Sequence, residues 1–274
     1  MNGENPTPTT PLVAASPNPP PVIPPGQSGV SAVGLPLGEN PADRAPIKGA
    51  FAAGEALLRQ PRRVMYQLRQ PQAGGLIVSL LVVAVLSAAI YGVVAGTFSG
   101  GTQIWAAPVK IVMGLLVSAL ICLPSLYIFS CLGGSHARLV EVWGLVAGLL
   151  ALMDILLIGF APVAWVFSQA TKSLVAMGVI HLVFWAVAAL FGLRFLNAGF
   201  HLFSGGAGGN FGLKIWMVIF IMVALQMSTA LRPILGKADT FLPSAADKKF
   251  FAKHWSDCIN EDSGKNPAAL GKEQ

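Results

Sequence analysis

Charge is what this chain has least of. Acidic and basic side chains make up 11 % of its 274 residues, against 54 % apolar ones, where a soluble domain carries about 25 % charged residues. Between positions 75 and 213 the ionisable side chains reduce to Lys110, His136, Arg138, Glu141, Asp154, Lys172, His181, Arg194 and His201. The middle of the chain therefore reads as a membrane block between two polar ends. Cysteine is equally scarce. Cys122 and Cys131 lie nine residues apart on one expected helix, about 180° around it at 100° per residue, so they cannot pair, and Cys258 is left as a tail thiol. The first fifty residues hold no apolar run of the length a secretory signal needs, so the first span is expected to act as the targeting signal.

Catalytic patterns are absent too. The chain has no HExxH, GxSxG, phosphate-loop, dinucleotide-binding or CxxC motif, and its histidines at 136, 181, 201 and 254 lack metal-ligand spacing. No metal, no cofactor and no enzymatic activity is expected. SGGAGGN, residues 204 to 210, is glycine-rich but has no following Lys-Ser or Lys-Thr, so it reads as a connector. A pI near 9.4 could suggest a nucleic-acid partner, but no basic face interleaved with aromatics accompanies it, so none is expected.

What the chain does have is five apolar stretches of membrane-crossing length, at about 75–98, 108–133, 139–166, 173–194 and 213–231. The expected fold is an all-α integral membrane protein with a five-helix transmembrane domain over residues 71–233. The fourth stretch continues to 203, and its last part, FLNAGFHLF, is expected to lie along the interface. Residues 1–47 hold twelve of the twenty prolines and should be disordered, partly polyproline II, because so few large apolar residues cannot offset chain entropy. Their bare PxxP spacings are read as part of a flexible tail. Residues 234–274 form a short polar tail, neutral in sum, in which KKFFAKHW (248–255) suggests a surface-lying turn.

Between tail and membrane, residues 48–70 combine Phe51, Ala52, Leu57 and Leu58 with Arg59, Arg62, Arg63 and Arg69. An apolar face with following arginines just before a span predicts an interfacial helix held to anionic lipid headgroups. Those arginines favour a cytoplasmic N-terminus, in a bacterial inner membrane. The short loops do not decide, with Arg138 and Lys214 on one side and Lys110 and Lys172 on the other, and Arg232, Lys237, Lys248, Lys249 and Lys253 after the fifth span would have to be translocated, which argues the other way.

Small residues mark helix contacts. Ala88, Gly92 and Gly96 recur every four residues on the first span, and Gly144 and Gly148 do so on the third, flat stripes suited to close packing within the monomer or in a homo-oligomer. Pro124 should kink the second span and free a carbonyl that Ser118, Ser125 or a neighbouring helix would satisfy.

Asp154 is the costliest residue in the block, at roughly 2.5 to 3.5 kcal/mol or more for a charge at mid-membrane. With the third and fourth spans as a hairpin turning near 167–171, Asp154 is depth-matched to His181, and Glu141 to Arg194. The 13 residues between Glu141 and Asp154 turn about 220°, so one seam holds only one pair. Two readings stay open: a neutralised structural carboxylate, or an Asp154–His181 proton or ion relay completed by polar groups such as Gln226, Ser228 and Thr229.

ICLPSLYIFSCLGGS (121–135) and QMSTALRPILG (226–236) look like segments of uncharacterised bacterial multi-pass membrane proteins. The plan of a proline-rich N-terminus before five clustered spans is similar to the Yip1 family. Eukaryotic Yip1-type proteins are non-enzymatic membrane factors associated with Rab GTPases and vesicle trafficking, so the resemblance implies a membrane-organising role. It carries over no functional residue, since Tyr91-Gly92 stands here without a DLYGP-type motif. The expected function is thus a scaffold, assembly or membrane-organising factor working with the lipid bilayer and a protein partner or second copy; the alternative is a small transporter or channel using Asp154 and His181.

Overall fold

The computed structural model describes residues 3, 37–99, 101, 103–135, 137–170, 174–203, 211–230 and 256. The proline-rich tail up to residue 36 apart from Gly3, His136, Lys172, the connector 204–210 and the tail beyond 230 apart from Ser256 lie outside them. The described chain is helical throughout: α1 (Pro41–Arg44), α2 (Ala50–Arg59), α3 (Pro61–Leu68), α4 (Ala73–Ser99), α5 (Gln103–Leu132), α6 (Leu139–Ala170), α7 (Leu174–Phe203) and α8 (Phe211–Ala230). The last five are each long and apolar enough to cross a membrane, which makes this a multi-pass integral membrane protein.

Local chemistry explains the helix ends. Asn40 caps α1 through its side-chain oxygen, which accepts from the Ala42 amide at 3.0 Å, and α3 begins at Pro61, whose missing N–H costs nothing in a first turn. α5 stops at a Schellman-type turn. The Ser135 amide donates to the Ser130 carbonyl at 3.0 Å, and Gly134 supplies the left-handed φ of 75° that a residue with a Cβ rarely adopts. Inside the spans regularity wins. With no water to accept backbone hydrogen bonds, an apolar segment keeps its helix even across Pro108, Pro124 and Pro162.

α6 is the central element. It packs along α4 on one side and α7 on another, α5 lies between α4 and α8, and α2 and α3 rest against α4 and α6. Of its most apolar window 67 % is buried, against 22–33 % for the other spans, so α6 alone is enclosed by protein while the others face lipid. Ala147, Leu149, Ala151 and Met153 are fully enclosed.

Close contacts set the register. Across the antiparallel α6–α7 seam, Gly148 meets Phe195, Leu145 meets Gly199 and Met153 meets Gly192, pairs whose numbers add to about 344. Gly54 of α2 touches both Ile155 of α6 and Val83 of α4, which puts these two parallel helices about 72 residues out of step. Residues of α4 and α7 at one depth should then add to about 272, as the hydrogen-bonded Tyr91 and His181 do. Ser99, Gln103, Ala170 and Leu174 consequently lie near one plane, the turn plane. A hydrocarbon layer of about 30 Å uses about 20 residues per helix, so a layer that begins at that plane would end near Val78, Cys122, Leu150 and Arg194.

Two sequence expectations change. α7 does not turn along the interface after Arg194; it runs unbroken to Phe203, because Phe195, Leu196, Phe200 and Phe203 are buried and Gly199 admits Leu145 against α6. In the segment before the first span, Ala53, Gly54, Ala56 and Leu57 face protein, while Phe51 and Leu58 do not and point outward.

Candidate functional site

The polar groups inside the bundle are the candidate site, and Asp154 is the most enclosed carboxylate among them at 2 % exposure. The α7-facing side of α6 is marked by Leu145, Gly148, Leu149 and Met153. At 100° per residue Asp154 projects about 165° from the middle of that side, away from α7. Its Oδ1 is buried without a hydrogen-bond partner, an uncommon state for a buried oxygen.

His181 lies on the α7 seam, in phase with Gly192, Phe195 and Gly199, yet it does not reach Asp154. The 344 register sets His181 level with Val163 of α6, nine residues or about 13 Å further along the axis than Asp154. The expected depth match fails because α6 continues to Ala170 before the turn. Moving the centre of a hairpin by four or five residues shifts every pairing by twice that number. His181 instead meets α4: Nδ1 and Tyr91 Oη are 2.5 Å apart, with the two rings edge to face at 5.5 Å. One proton between them makes a single hydrogen bond, tying α4 to α7 past the small side chains of Ala161 and Ala164. His181 Nε2 is buried with no partner.

The second depth match fails for the same reason. Glu141 is satisfied locally, by Arg138: its Oε2 accepts from the Arg138 amide at 2.9 Å and its Oε1 from the guanidinium at 3.1 Å. That guanidinium also donates to the Arg69 carbonyl at 3.1 Å, so one residue caps α6, neutralises Glu141 and binds the α3–α4 junction to α6. Arg194 is exposed and lies over the Phe191 ring at 6.0 Å to its centroid, a cation–π contact at the calculated layer boundary.

At Pro124 the donors converge on Cys122. The Cys122 carbonyl accepts from Ser125 Oγ at 2.8 Å and from Trp216 Nε1 of α8 at 2.7 Å, while Ser118 Oγ bonds the Gly114 carbonyl. The carbonyl that Pro124 leaves without an amide donor is that of Leu120, four residues back, so these two bonds hold α5 together and fasten it to α8 beside the proline rather than satisfy the freed group. A Cβ on Gly92 would strike the Pro108 backbone, with its nitrogen at 2.9 Å; one on Gly148 would come within 2.5 Å of the Phe195 ring; and Gly144 admits Leu68. Ala88 and Gly96 are buried on α4. The Gly92, Gly144 and Gly148 contacts all lie within the monomer.

Sequence reading missed Tyr91, Trp216 and Lys110. The first two carried a signal, since a tyrosine hydroxyl or indole N–H inside an apolar span needs a partner. Lys110, counted among the charges of the loop side although it lies within the 108–133 stretch, is in α5 and 1 % exposed. Among the described residues no group of three His, Cys, Asp or Glu side chains could hold a metal ion. No family model, curated protein or solved structure matches the chain.

Proposed function

We propose that this protein is a non-enzymatic scaffold, assembly or membrane-organising factor of a bacterial inner membrane, with its N-terminus in the cytoplasm. The observation that supports this is how charge is distributed about the bundle. Arg44, Lys48, Arg59, Arg69, Arg138, Arg194 and Lys214 are exposed and belong to the end opposite the turn plane. Among the described residues the turn plane carries no exposed lysine or arginine. Positive charge collects on the cytoplasmic side of membrane proteins, and the burial of Lys110 removes a loop charge that stood against this orientation. On that side residues 37–69 fold as a collar on α4 and α6, a surface on which a partner could assemble. The Yip1-like plan of the sequence belongs to this same proposal.

The test is photocrosslinking in native membranes from a reactive side chain at Lys48 of the full-length protein. The expected outcome is a recurrent protein adduct of defined mass; adducts to lipid alone would refute assembly through the collar.

A second reading, a small transporter or channel, is favoured by the unpartnered Oδ1 of Asp154 and Nε2 of His181, since ionisable groups inside a membrane often mark an ion path. With about 13 Å of depth between them, a relay would need intermediate carriers. Proton flux in proteoliposomes that Asp154→Asn abolishes would establish it; absence of flux from the wild-type protein would end it.

A further inference from the structure

The collar meets lipid in an asymmetric way, which deepens the membrane-organising reading and rests on it. α2 is held against the bundle by one face: Gly54 packs on Ile155 and Val83, and Ala53, Ala56 and Leu57 are buried. Val83 and Ile155 are each five residues inside the boundary at Val78 and Leu150, so α2 is seated no more than about 7 Å within the layer. On its outer side Phe51 is 89 % exposed and Leu58 51 %, and α4, against which α2 packs at Val83, has its own outward residues Val78 and Val82.

The outer charges are arranged to tolerate that position. Glu55 and Arg59 pair with each other at 3.4 Å. Of the arginines expected to grip headgroups, Arg63 bonds the Ala45 and Pro46 carbonyls; Arg44 bonds the Gly38 carbonyl, and Gln67 also reaches the Ala45 carbonyl. These bonds fasten the collar to itself. Arg59 and Arg69 stay exposed beside the outward Phe51 and Leu58, an apolar face bordered by charge.

We propose that α2 is a wedge fixed in one leaflet, whose occupant is the acyl–headgroup boundary of the cytoplasmic monolayer. It adds volume to that leaflet alone, rigidly coupled to α4 and α6, so the protein should favour membrane whose collar-side leaflet is convex. Shallow insertion of an apolar helix face is curvature-sensitive for this reason.

Two measurements on the full-length protein in liposomes test it. A nitroxide at Phe51→Cys, with the native cysteines changed to alanine, should be relaxed by oxygen and shielded from a water-soluble nickel chelate, with Lys48→Cys as the wetted control; exposure of position 51 to nickel overturns the wedge. In a mixture of small and large vesicles, fluorescent protein should be enriched at least about threefold per unit area on the small ones. Phe51→Ser with Leu58→Ser should lose that enrichment while keeping its detergent gel-filtration profile. Equal density on both sizes for the wild type overturns the wedge even if position 51 is in lipid. The crosslinking test of the collar reads a protein partner and is independent of both results.

Discussion

Gly92 and Gly54 both face another helix, and their substitution should have opposite effects. A methyl at Gly92 meets the Pro108 backbone, which cannot swing away, so Gly92→Ala should cost about 1–3 kcal/mol. A methyl at Gly54 meets Ile155 and Val83 at 3.6–3.9 Å, ordinary contact, and removing a helical glycine favours the fold by about 0.5–1 kcal/mol. Thermal unfolding in detergent should show the first variant melting below wild type and the second at or above it. The four-residue small stripe made Gly92 legible in the sequence. Nothing there separated it from Gly54, because the difference lies in what stands opposite. Arg138 gives a related case. Arg138→Ala should destabilise by about 1 kcal/mol, the partial exposure of the guanidinium limiting its ion-pair strength, and should free the α3–α4 junction. Faster protease cleavage near Arg69 would report that release.

At the scale of elements, the α6–α7 seam shows what pattern reading can and cannot do. Both helices were legible from apolar length, and the His181 side of α7 was correctly a helix-facing side. Their register was not. It depends on where the turn falls, and apolar sequence runs without interruption past residue 166 to Phe167, so the hydropathy pattern does not mark the last turn of α6. The Tyr91–His181 tie follows from the register actually adopted. Tyr91→Phe leaves His181 Nδ1 without its partner inside the bundle and should cost about 1–2 kcal/mol, with greater hydrogen exchange where α4 and α7 meet. Trp216→Phe should cost less, about 1 kcal/mol, because Ser125 Oγ still donates to the Cys122 carbonyl; a lower melting temperature for the tyrosine variant than for the tryptophan variant checks the order.

For the whole molecule, the distribution of exposed arginine and lysine predicts topology. A reporter active only in the cytoplasm should be silent when fused after α8 and active when fused before α1; the reverse would invert the proposed orientation. The sequence by itself determined that this is a helical membrane protein, where its five spans lie and which glycines allow close approach. Those properties depend on the composition of contiguous stretches: a run of apolar residues has no other low-energy state in a bilayer than a helix. Tertiary structure alone decided that α6 is central, that Asp154 turns away from α7 and does not meet His181, that Glu141 belongs to Arg138, and that α2 buries Gly54 and Leu57 while Phe51 and Leu58 point out. Each of these is set by register or by packing between segments distant in sequence. A shift of a few residues in one turn changes every such pairing while leaving the hydropathy of each helix untouched.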